Sequence, residues 1–133
     1  MADINVVFPA DGSEPIATRP DHAVLEQELI TWDITSYNEK ITKVKLAFEA
    51  NNGQKPKFFQ KGASQSHQIE KKFRKYRVLP DGTKMAREEV YGTAPELKKR
   101  PKKSCEPFKY DIVGYRAAGK PVKLDPKIVI AKP

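Results

Sequence analysis

The final 26 residues, FKYDIVGYRAAGKPVKLDPKIVIAKP, constrain the fold more than any other stretch of this chain. Phe108, Tyr110 and Ile112 alternate with Lys109 and Asp111, the period-two pattern of a strand with one packed and one wetted face. A turn at Ala118-Gly119-Lys120 follows, then a β-rich run from Lys127 to Ile130, which Asp125-Pro126 introduces where proline is tolerated at a strand's entry. Together these predict a closing β-hairpin and an all-β domain.

The same alternation recurs upstream. Ile4, Val6 and Phe8 predict a first strand, and the proline-rich residues 9–22 a loop. Val24 to Leu29 predict a second strand. Ile30, Trp32 and Ile34 share a face opposite Thr31, Asp33 and Thr35, and the change of apolar phase between Leu29 and Ile30 predicts a bend or bulge there. After a turn at 36–40, Val44, Leu46 and Phe48 share one face, with Lys43, Lys45 and Glu49 on the other. Asn51-Asn52-Gly53 ends this strand, and Phe58-Phe59 reads as a short apolar anchor.

Residues 65–79 admit two readings. Ile69, Phe73 and Tyr76 have the spacing of a helix face. The run from Phe73 to Leu79 also leads into Pro80-Asp81-Gly82, a hairpin-type turn, with 83–90 able to pair back, and this reading is favoured. Residues 92–107 hold Pro95, Pro101 and Pro107 and read as a long exposed loop. Gly114 and Gly119 read as hairpin glycines. Six to eight short strands result, in one domain over residues 1–133: a two-sheet Greek-key sandwich.

Charge narrows the partner class. Residues 1–39 carry eight acids and one base, and residues 40–133 carry 24 bases and nine acids, which together make the net +8. Such a split points either to a charged partner surface or to an acidic N-terminal part lying against the basic remainder. With 32% charged and 38% apolar residues, the outer faces should be lysine-rich. No run approaches the roughly 20 apolar residues of a membrane span. The start MADINVVFPADG lacks the pattern of a secretory leader, and Cys105 is a lone cysteine, so a cytoplasmic location is expected.

Ile30-Thr31-Trp32-Asp33-Ile34, Val44 to Phe48, Phe58-Phe59, Tyr110 to Val113 and Leu124 to Ile130 together resemble a cupredoxin-like, immunoglobulin-like β-sandwich. The chain is similar to small uncharacterised bacterial proteins of that shape, over residues 24–60 and 106–131. The resemblance implies a sandwich fold, and it leaves a basic segment around 61–104 as an insertion or elaborated crossover. Blue-copper members hold the metal with two His, a Cys thiolate and a weak axial ligand. Here Glu106, Pro107 and Phe108 follow Cys105, no His comes after it, and Met1 and Met85 both precede it, so the copper ligands are lacking. No cofactor is expected. A metal or redox site built from Cys105 with His67 or His22 is the remaining alternative.

Catalytic patterns are absent from the sequence. No nucleophile elbow or glycine-rich phosphate loop occurs, and the paired acids Glu26/Glu28 and Glu88-Glu89 read as solvated strand residues. The expectation is a non-catalytic, metal-free binding or accessory module with a protein partner or an anionic surface as its target. Residues 55–103 hold 15 Lys/Arg and five acids interleaved with aromatics. Lys71, Lys72, Phe73, Arg74, Lys75, Tyr76 and Arg77 form the tightest cluster, and Lys98, Lys99, Arg100, Lys102 and Lys103 a second one. Cations for phosphates beside aromatic faces for bases make nucleic acid the alternative partner, on the 55–103 surface.

Overall fold

The computed structural model describes residues 3–18, 21–25, 28–48, 68–93, 105–124 and 126–131. Among them eleven strands and no helix form two packed sheets. In the first sheet the order is β2 (Ile16–Ala17), β1 (Ile4–Phe8), β4 (Leu29–Ser36), β8 (Lys84–Thr93) and β7 (Arg77–Val78). In the second it is β3 (Asp21–Leu25), β11 (Lys127–Ala131), β9 (Cys105–Arg116), β5 (Ile41–Phe48) and β6 (Gln68–Lys72), with β10 (Val122–Leu124) beside β9. β1 pairs with β4, and β3 with β11, in parallel, while every other pairing is antiparallel. Consecutive strands change sheet between β2 and β3, β3 and β4, β4 and β5, β6 and β7, and β8 and β9.

Alternation along the strands builds the core. Ile30, Trp32 and Ile34 of β4 and Val44, Leu46 and Phe48 of β5 all turn inward and are buried, as the sequence pattern predicts. Trp32 of the first sheet packs against Phe48 and Tyr110 of the second, with ring centroids 6.0 and 6.1 Å away. Phe48 and Tyr110 stack on each other at 5.0 Å. Trp32 Nε1 donates a long hydrogen bond of 3.3 Å to the Tyr110 hydroxyl, so the two largest buried side chains carry their polar atoms into the core as a pair.

The closing hairpin forms, and its far arm is divided. β10 and β11 lie along the same side of β9, at Gly114–Ile112 and at Lys109–Cys105 respectively. Between them buried Pro126 accepts the Tyr110 N–H at 3.1 Å. Gly119 turns at φ 94°, whereas Gly114 lies inside β9 and is not a hairpin glycine.

Several expectations are corrected. No bulge separates Leu29 from Ile30: β4 pairs with β8 without a break from Leu29↔Thr93 to Ser36↔Ala86. Leu29 opens β4 as an exposed apolar residue, 56% accessible, and the buried face begins at Ile30. The register shift that does occur is in β5, between Ile41 and Lys43. The strand expected over Val24–Leu29 ends at Leu25 and begins at Asp21, inside the expected loop 9–22, which also contains β2. The segment 61–104 is not a mere insertion, because the ten-residue β8 pairs along β4 in the heart of the first sheet. The ends of the expected loop 92–107 are strand, since Gly92 and Thr93 close β8 and Cys105 to Pro107 open β9, and residues 94–104 lie outside the described ones. Strands exceed the expected six to eight because several pair over only two or three residues.

Candidate functional site

The hairpin reading of 65–79 holds in reduced form. β7 pairs with β8 only at Arg77↔Met85 and Val78↔Lys84 around the turn at Gly82, whose φ is 87°. Residues 73–76 are neither strand nor helix. They carry the chain from the edge of the second sheet to the edge of the first.

This crossing sorts the 71–77 cluster. Phe73 is buried and Tyr76 half-buried, with ring centroids 5.9 Å apart. The Tyr76 hydroxyl lies 2.7 Å from Ser36 Oγ, from the Asn38 carbonyl and from the Ile41 carbonyl. Burial raises the Tyr76 pKa above that of an ordinary phenol. Both aromatics therefore close the end of the sandwich and do not offer ring faces to a partner. Lys72, Arg74, Lys75 and Arg77 are exposed and Lys71 is half-buried at the sheet edge. Arg74 reaches Glu88 at 3.7 Å. Lys98, Lys99, Arg100, Lys102 and Lys103 lie outside the described residues, as do Phe58-Phe59.

A second basic group emerges from strand pairing: it joins Lys72 of the sequence-predicted cluster to Lys43, Lys45 and Tyr115, which were not singled out as site residues. On the outer face of the second sheet, Lys43 stands opposite Lys72 of β6 on one side and Tyr115 of β9 on the other. Lys45, one pleat along, stands opposite Glu70 and Val113. The Lys43 and Lys45 ammonium groups lie 4.9 and 5.2 Å from the Tyr115 ring centroid. Glu70 is the counter-charge, 3.7 Å from Lys43. Like charges directly opposite each other on a sheet are unfavourable, so the Lys43–Lys72 rung is a local cost that pairing geometry alone does not require.

The charge split is partly internal. Arg87 holds Asp33 through two contacts, Nε to Oδ1 at 2.8 Å and Nη2 to Oδ2, and Lys84 holds Glu39 at 2.8 Å. Acids of the first 39 residues thus meet bases of the later chain. Both pairs sit around the first sheet, and among the described residues Glu70 is the one acid in an ion pair with a lysine of the second sheet's outer face.

One cleft of about 340 Å³ opens at the loop end of the sandwich, bordered by Ala10, Tyr37, Glu39, Lys40, Thr83 and Lys84. Neither histidine nor cysteine lines it. Among the described residues no cluster of three His, Cys, Asp or Glu has metal-holding geometry, and no helix is long and apolar enough to cross a membrane. Backbone register sets His22 apart from Cys105: β11 lies between their strands, and Cys105 is level with Leu25, three residues from His22. At ordinary strand spacing and rise that separates their Cα atoms by about 14 Å, further than one metal ion spans between a His and a Cys. His67 lies outside the described residues.

No family model matches the chain. No curated protein matches it significantly. Among solved structures it is similar to the crystal structure of ACE19, the collagen binding subdomain of the Enterococcus faecalis surface protein ACE, at 9% identity and a TM-score of 0.34. That match covers 84% of this chain and 93% of the other. A likeness this distant carries no argument about function, and the two-sheet sandwich stands on the strand pairing itself.

Proposed function

We propose that this protein is a non-catalytic, metal-free β-sandwich binding module whose partner is an anionic macromolecule. The observation that carries this reading is the row Lys72–Lys43–Tyr115 with Lys45 beside it, on a sheet face where Glu70 is the one acid in an ion pair with these lysines among the described residues. The exposed cations Arg74, Lys75 and Arg77 adjoin it where the chain leaves β6. A rigid sheet holds its lysines at fixed spacing, so a polyanion can be met by several ammonium groups at little ordering cost.

Nucleic acid is the second reading, favoured by Tyr115, an aromatic ring framed by two ammonium groups on an open face. The inward turn of Phe73 and Tyr76 argues against base stacking on 71–77 and moves this reading to the β5–β9 face.

The test is binding of nuclease-treated protein to labelled single- and double-stranded oligonucleotides and to polyglutamate, each at two salt concentrations. Salt-sensitive binding lost in a Lys43→Glu, Lys45→Glu, Lys72→Glu variant supports the sheet-face reading, and selective loss of oligonucleotide binding in Tyr115→Ala supports the nucleic-acid version. Binding that ignores salt, or survives the triple reversal, defeats both.

A further inference from the structure

Arg116 ends β9 on the rung opposite Ile41. Its Nε is buried and has no hydrogen-bond partner, and its guanidinium takes part in none of the ion pairs among the described residues. A buried, unpaired donor is unfavourable, and native structures seldom keep one without a use.

Two glycines border this guanidinium. A Cβ placed on Gly12 would stand 3.6 Å from Arg116 Nη2 and 3.9 Å from Asn38 Nδ2, and one on Gly119 would stand 3.8 Å from Nη1. The group therefore lies between the β1–β2 loop and the β9–β10 turn, and both bordering positions lack a side chain. Asn38 Oδ1 is already used by the Lys40 N–H at 3.1 Å, so the amide half near Gly12 is the donating one. Lys40 and Lys120 are exposed on turns at the same end. Of the carboxylates on the neighbouring turns, Asp11 accepts the Ser13 N–H and Oγ–H, Asp81 the Thr83 N–H, and Glu39 is held by Lys84, while Glu14 of the β1–β2 loop takes part in none of the ion pairs among the described residues.

A planar guanidinium fork matches two coplanar oxygens, and an amide N–H beside it supplies a further donor. We infer that Arg116, with Asn38 and the glycine-bordered turns at 12 and 119, forms a binding site for one oxyanion group, a carboxylate or a phosphate. The site is independent of the lysine face, which belongs to the outer side of the second sheet.

The experiment is a nitrogen-15 NMR titration of the full chain with sodium phosphate and, separately, sodium acetate, at ionic strength held constant with sodium chloride. The expected result is a saturable, joint shift of Arg116 Nε–H and the Gly12 and Gly119 amides. Saturation by acetate assigns a carboxylate ligand, and saturation by phosphate alone assigns a phosphate. Arg116→Gln and, separately, Gly119→Asn, which fills the border while tolerating the left-handed backbone, should each weaken binding at least tenfold. The Lys43→Glu, Lys45→Glu, Lys72→Glu variant should leave it in place. Drift no different from that with chloride, or saturation that persists in both site variants, overturns the proposal. So does an Arg116 resonance that moves in Asp11→Asn or Glu14→Gln before any anion is added, because the chain's own carboxylate then occupies the site.

Discussion

Gly114 of β9 lies against the ring of Phe8 of β1, so close that a Cβ at position 114 would stand 2.5 Å from Phe8 Cε1 and 3.1 Å from Cδ1 and Cζ. The two residues belong to opposite sheets, and the glycine sets how near the sheets come at this point. Phe8 is almost fully buried. Gly114→Ala should therefore destabilise the fold by about 1–3 kcal/mol through overpacking. Urea denaturation measures this. In a double-mutant cycle, Phe8→Leu should relieve part of the loss, and strict additivity would show that the ring is not the obstacle.

Tyr110 links burial to pH. Burial pushes its phenol up to about 12, against which the Trp32 hydrogen bond works in the opposite sense. Below pH 10 the phenol is protonated in both folded and unfolded chains, and its contribution is complete. Between pH 10 and 12 the unfolded chain loses the proton first, so stability falls as pH rises, by roughly 3 kcal/mol in total. Tyr110→Phe should flatten this fall in thermal melts taken across that window. At neutral pH the same variant should cost about 1–3 kcal/mol, since the Trp32 N–H loses its buried acceptor.

Tyr76 ties the crossing segment to the turn between β4 and β5 through its contacts with Ser36, Asn38 and Ile41. Tyr76→Phe keeps the ring against Phe73 and removes only the hydroxyl. A loss of about 1–3 kcal/mol is expected, with faster hydrogen exchange concentrated at residues 38–41 and 73. Uniformly faster exchange over the whole chain would instead indicate a global role for this hydroxyl.

Gly82 isolates backbone strain. Its φ is 87° and nothing lies within 4 Å of where a Cβ would go. Gly82→Ala should cost about 1–2 kcal/mol from the left-handed conformation alone, and Gly82→Asn less, because Asn tolerates that region. Equal losses in the two variants would mean that contacts and not dihedral strain govern the turn.

Local pattern made the sandwich legible in particular places. The alternation of Ile30, Trp32 and Ile34, and of Val44, Leu46 and Phe48, predicts both the strands and the buried face, because strand geometry leaves one choice of inward residues. The turn at Pro80-Asp81-Gly82 was legible from its residue types. The Leu29–Ile30 phase change was visible, but an apolar residue left exposed at a strand's start, as Leu29 is, looks along one chain like a packed one. Segment 73–76 defeated both readings, since Phe73 and Tyr76 turn inward with neither helix nor strand geometry.

The candidate site was legible only as composition. Alternation alone assigns Lys43 and Lys45 to the wetted face of β5, and the excess of bases predicts a basic surface. That Lys72 and Tyr115 flank them depends on β5 lying between β6 and β9, a pairing over more than sixty residues of separation from Tyr115 that no local pattern encodes. The same holds for Arg116 between Gly12 and Gly119, where two turns distant in the chain meet. The sequence by itself determined the strands of clean alternation, β4 and β5 above all, which face of each is apolar, and the glycine turns at 82 and 119, because these follow from dihedral preference and period-two burial. Only the tertiary structure decided which cations became neighbours and which aromatics were withdrawn into the core, because strand order is set by the packing of the whole chain.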